Sequence, residues 1–100
     1  MQCFAKSDRG AVRKENQDRA AGARIRRKGC VVGVVCDGMG GAAGGKLASE
    51  LAASTFLAQF RREMMAGSAV EPAMRAACDA ANQAVYGRAC ADPELRGMGT

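Results

Sequence analysis

Cys30-Val31-Val32-Gly33-Val34-Val35-Cys36 runs straight into Asp37-Gly38-Met39-Gly40-Gly41-Ala42-Ala43-Gly44-Gly45, and this junction decides the fold. The first stretch is short, β-branched and continuous, the pattern of a strand buried on both faces. The second holds five glycines in nine residues. No regular element tolerates that density, so the chain must turn sharply there or approach a ligand closely. Asp37 stands on the boundary. A carboxylate at a strand end is rigidly aimed and partly desolvated, which is costly unless it is paired or bound to a metal. Hard divalent cations want oxygen ligands, and Gly38 leaves its backbone carbonyl open as a second donor. An Asp that merely caps the Gly-rich turn is the alternative.

Downstream, Lys46 to Met65 reads as a helix. Leu47 and Leu51 are four apart, as are Phe56, Phe60 and Met64, and Arg61 and Arg62 suit the negative end of the helix dipole. Gly67 is a natural stop. A second helix begins near Ser68, with Ser68 and Glu71 at capping-box spacing and Pro72 in the first turn. Met74, Cys78, Ala81 and Val85 would form its inner face. Gly87 to Gly99, with Pro93, reads as irregular. Upstream, Gln2 to Ser7 and Arg19 to Lys28 could be strands, the latter alternating Ala23 and Ile25 with Arg24 and Arg26. Asp8 to Asp18 is polar and turn-like. The order is strand, strand, strand, helix, helix.

That order excludes two other Gly-loop readings. Gly38, Gly40 and Ala43 fit the dinucleotide pattern G-x-G-x-x-A, but a second helix follows where a parallel strand is required. Gly40, Gly45 and Lys46 fit G-x-x-x-x-G-K, but Leu47 replaces the Ser or Thr that a P-loop needs for magnesium.

Composition bounds the rest. The chain has 100 residues, 48% of them hydrophobic, yet 21 are Ala and only 15 are Leu, Ile, Val or Phe. Ala buries little surface, so this is one small domain or part of a larger one. No run approaches the roughly 18 to 20 apolar residues of a membrane span, and the start lacks an apolar signal-peptide core. Five Cys without a C-x-x-C pair, and no His, argue against a zinc site or disulfide framework and favour the reducing cytoplasm. The net charge of +5 arises mainly before residue 30, where Arg9, Arg13, Lys14, Arg19, Arg24, Arg26, Arg27 and Lys28 lie. Without interleaved aromatics or a binding module this reads as a solvated surface ahead of a nucleic-acid site, and a basic neighbourhood for a phosphorylated or acidic substrate stays open.

One polar segment remains. Arg13, Asn16, Gln17 and Asp18 fall within Val12-Arg13-Lys14-Glu15-Asn16-Gln17-Asp18. The Arg13 fork could grip a phosphate, and Asp18 could join Asp37 at a metal, directly or through water. An ordinary polar loop with an Asx turn is the alternative.

Taken together, these segments resemble a family. Ser7 to Asp18 is similar to the opening motif of the metal-dependent type 2C protein phosphatases, especially the bacterial ones. Val34 to Gly41, followed by Gly45, Ala48 and Ser49, resembles their second motif. Ala81-Asn82 also resembles the family, as does Pro93-Glu94-Leu95-Arg96-Gly97-Met98-Gly99-Thr100, the stretch leading into the next strand.

The resemblance implies an α+β fold: part of a four-layer α-β-β-α sandwich of antiparallel sheets flanked by helices, truncated after the first two helices. Residues 1–100 would be the N-terminal portion of a single catalytic domain. It implies hydrolysis of phosphoserine and phosphothreonine on proteins with two or more Mn2+ or Mg2+ ions. Asp37 would bridge the metals, the Gly38 carbonyl would ligate one, Asp18 would act through water, and Arg13 would bind the substrate phosphate. Gln17 stands where many members carry Glu and is not a firm ligand. Phosphorylated proteins, and a cognate Ser/Thr kinase with its targets, would be the partners. The later acidic motifs of the family are missing here, so a catalytically incomplete fragment or noncatalytic interaction module is the other expectation.

Overall fold

The computed structural model describes residues 17–25, 28–40 and 44–100. The expected strand at Gln2 to Ser7, the turn before Gln17, Arg13 and Gly41 lie outside the described residues.

Two strands, β1 (Asp18–Ile25) and β2 (Cys30–Asp37), pair antiparallel in the register Asp18↔Asp37 through Ile25↔Cys30. Side chains alternate across a strand, so one face carries Ala21, Ala23 and Ile25 with Cys30, Val32, Val34 and Cys36. That face packs on the helices. The other carries Asp18 and Arg24 with Val31, Val35 and Asp37. The expectation that β2 is buried on both faces therefore fails: Val35 is 79% exposed. Among the described residues only one layer covers the hairpin, so the continuous Val run is satisfied on one side alone.

Helix α1 (Gly44–Met65) lies on the sheet, and α2 (Val70–Ala91) packs along α1 through a short αα-turn. The Phe56-Phe60-Met64 stripe is buried as its spacing predicted. The Phe56 and Phe60 rings stack with centroids 6.2 Å apart, and Ile25, Ala73 and Ala77 complete that core. A second cluster joins Ala48, Ala52, Val85 and Met98, with Leu47, Leu51 and Cys36 packed against it. α1 ends in a Schellman turn at Gly67: Ser68 N–H donates to Glu63 O and Gly67 N–H to Met64 O.

Helix α2 departs from expectation in three ways. Ser68 does not cap it; the Ser68 hydroxyl donates to the Glu63 carboxylate instead, and Ala69 is the N-cap without a side-chain bond. The Schellman turn of α1 has taken the residue that the capping box needed. The inner face is Ala73, Ala77 and Val85, while Met74 and Cys78 are exposed. Small Ala side chains let α2 settle close against α1, which a Met-led face would not. Finally, the helix continues through Gly87 to Ala91. Gly87 is exposed with open space beside it, and its helix penalty of about 1 kcal/mol is outweighed as Ala89 packs on the second cluster. A 3-10 turn over Pro93–Leu95 follows, capped by Asp92, which accepts from Glu94 N–H.

The tail then comes back to the sheet. Met98 is buried, and Gly99 pairs with Met39 through reciprocal 2.8 Å backbone hydrogen bonds. Among the described residues, no helix is long and apolar enough to cross a membrane. The observed class is α+β.

Candidate functional site

Asp18 and Asp37 occupy directly opposed positions at the open end of the hairpin. The next pair outward is Gln17 and Gly38, and there Gly38 N–H donates to Gln17 O at 3.0 Å. Antiparallel pairs alternate between hydrogen-bonded and non-hydrogen-bonded. Asp18 and Asp37 therefore fall on a non-hydrogen-bonded pair, where Cα atoms approach to about 4.5 Å and side chains lie closest. Both residues are exposed and share the face turned away from α1. Like charges directly opposite each other are unfavourable, and a shared cation relieves that repulsion.

The Gly-rich junction holds this pair by close approach of backbones. Gly38 is buried, and a Cβ there would sit 2.5 Å from Gln17 O and closer still to the Gly45 carbonyl oxygen. No side chain fits. Gly40 has φ +130°, which L side chains rarely adopt, and a Cβ on it would meet Met98 Cα at 2.9 Å. Four segments thus meet at the end of the sheet: the start of β1, the residues after β2, the first turn of α1, and the tail at Met98.

Gln17 crosses this junction. Its Nε2 donates to Gly40 O at 3.0 Å, and its carboxamide fills the space where a Cβ on Gly45 would fall, 2.7 Å from Gln17 Cδ. The sequence reading weighed Gln17 only as a ligand and missed this contact. No local signal gives it, since donor and acceptor are 23 residues apart.

Cys36 precedes Asp37 but points to the helix face. Partial burial pushes its thiol above the ordinary range, opposed by a hydrogen bond with Thr100. It lies on the opposite face of β2 from Asp37, away from the paired carboxylates. The donors at hand are oxygens: the Asp18 and Asp37 carboxylates and the Gly38 carbonyl. That chemistry suits Mg2+ or Mn2+, ions held by few carboxylates with water completing the shell. Among the described residues no group of three or more His, Cys, Asp or Glu could hold a metal. The structure brings Asp18, Asp37 and Gly38 together, while Arg13 lies outside the described residues.

Residues 9–98 match the protein phosphatase 2C family. Across 97 residues, 96% of this chain, the sequence is 38% identical to the serine/threonine protein phosphatase PstP of Mycobacterium tuberculosis. Over 54 residues it is 46% identical to a putative protein phosphatase of Mycoplasma pneumoniae and 48% identical to one of Mycoplasma genitalium. The chain spans 17% of the length of the first relative and 20% of the other two. The opposed carboxylates, the obligatory glycine beside them and a family match running almost end to end agree, and the chain belongs to the protein phosphatase 2C family.

Proposed function

We propose that the chain is the N-terminal portion of a phosphatase catalytic domain whose complete form hydrolyses phosphoserine and phosphothreonine on proteins. The observation that carries this reading is the opposed Asp18–Asp37 pair, with the Gly38 backbone beside it and oxygen donors only. Bound Mn2+ or Mg2+ would supply an acidified water at neutral pH and offset charge on the phosphoryl oxygens. Asp37 would hold the metals as the bridging carboxylate, with the Gly38 carbonyl as a further donor. Asp18, one strand across, would hold a metal's water by accepting its hydrogen bonds. Arg13 would grip two phosphoryl oxygens with its planar fork and orient phosphorus for in-line attack. No covalent enzyme nucleophile is needed.

The same reading extends to the rest of the protein. The open face with Val31 and Val35 would pack against a second sheet, giving the four-layer sandwich. The substrates would be cytoplasmic phosphoproteins, with a cognate Ser/Thr kinase acting on the same targets; the name serine/threonine protein phosphatase carried by one relative supports the phosphoserine and phosphothreonine class of substrate alone. A second reading is that residues 1–100 alone are catalytically incomplete; it is favoured by the described residues, among which no group of three or more His, Cys, Asp or Glu could hold a metal. Assaying Mn2+-dependent hydrolysis of a phosphothreonine peptide, in the full-length protein and in residues 1–100 alone, tests both. Turnover in the long form only fits the proposal, and no turnover in either contradicts it.

A further inference from the structure

We propose that Gln17 is a positioning residue, a latch that sets the spacing of the Asp18–Asp37 pair. This rests on the reading of that pair as a cation site. Gln17 immediately precedes Asp18 and lies opposite Gly38, which immediately follows Asp37. It grips the segment that follows β2 twice. Its backbone carbonyl accepts from Gly38 N–H, and its Nε2 donates to Gly40 O. Its carboxamide also lies flat against the first turn of α1, where Gly45 leaves room for it and any Cβ would not.

These contacts tie the residue before Asp18 to the residues after Asp37, one step outward from the carboxylate pair. β1 and β2 cannot splay at this end without breaking the Gln17 contacts first. In this chain an amide makes the contact. The acceptor is a backbone carbonyl, so the group facing it must donate. A Glu of the same shape would turn an oxygen toward the Gly40 carbonyl and lose the bond. A Met of similar length would fill the space without donating. The latch is carried by the Nε2 donor and the backbone carbonyl of Gln17.

The test uses the full-length protein with Gln17→Met, Gln17→Glu and, as a control, Ile25→Val. The control trims the core at the other end of β1, where Ile25 is 2% exposed. Two quantities are read: hydrogen exchange at the Gly38 amide without metal, and Mn2+ affinity by titration calorimetry. Both Gln17 variants should speed Gly38 exchange about three- to tenfold, as loss of one hydrogen bond does. Gln17→Met should weaken Mn2+ binding by a similar factor, and Ile25→Val should leave both readings at wild type. Wild-type exchange and affinity in Gln17→Met would overturn the latch. So would an equal loss of Mn2+ affinity in Ile25→Val, because the effect would then be general destabilisation. Should Gln17→Met fail to fold, Gln17→Asn draws the amide back by one methylene and is read against the same two outcomes. A wild-type protein that binds no Mn2+ overturns the cation reading, and Gly38 exchange alone then decides the latch.

Discussion

Asp18 and Asp37 face each other across β1 and β2 on a pair that the neighbouring Gly38–Gln17 hydrogen bond makes non-hydrogen-bonded. The two carboxylates come from the first residue of β1 and the last of β2, and the hairpin register alone brings them together. A slip by one residue would send one of them to the helix face. The site is therefore as well defined as the pairing of Ile25 with Cys30 at the far end.

This opposition predicts opposite effects with and without metal. Asp37→Asn removes one of two facing charges. In metal-free protein it should leave stability unchanged or raise it by about 0.2–1 kcal/mol. With Mn2+ the wild type should gain melting temperature and the variant should not. Thermal melts of both proteins, with chelator and with Mn2+, measure the difference.

Two glycines should respond in opposite ways to the same substitution. Gly38→Ala places a methyl against the backbone of Gly45 and Gln17. It should destabilise by about 3 kcal/mol or more, because neither contact can yield. Gly87→Ala adds a methyl to an exposed helical position with nothing within 4 Å. It should stabilise by about 0.5–1 kcal/mol. Urea unfolding of the two variants checks both signs.

Cys36 should be the slow thiol. Burial raises its pKa, so at a given alkaline pH it holds less thiolate than an ordinary cysteine. Iodoacetamide labelling followed by peptide mass spectrometry should modify the exposed Cys78 and Cys90 well before Cys36. The folded state favours the neutral thiol. Its contribution to stability is therefore fully present below the unfolded-chain pKa and is lost as pH rises through the raised folded value.

Much of this fold was legible because short-range physics dictates it. The Val run of β2, the Phe56-Phe60-Met64 stripe and the stop at Gly67 each follow from spacing or backbone freedom within a few residues. The departures have long-range causes. Ser68 was claimed by Glu63 of the preceding helix, so it could not cap α2. Ala73 and Ala77 displaced Met74 and Cys78 from the inner face because helix–helix approach rewards small side chains there. Gly87 stayed helical because Ala89 had a core to reach.

The candidate site shows the same division. Asp37 and Gly38 stood out because a strand running into five glycines is locally strange. Asp18 could be offered as a metal partner of Asp37, but its place directly opposite could not be read, since nothing within the segment reports its register partner. The Gln17 contact with Gly40 escaped notice altogether. It depends on three segments meeting in space, and a single Gln in a polar stretch carries no trace of that.

The most direct test of the account is Mn2+-dependent hydrolysis of a phosphothreonine peptide by full-length wild type and Asp37→Asn. Loss of an outer partner of a metal site costs roughly 10- to 100-fold. Loss of Asp37, proposed as the carboxylate that holds the metals, should cost more than that, with Mn2+ binding weakened in parallel. An Asp37→Asn protein that retains wild-type Mn2+-dependent turnover would contradict the account.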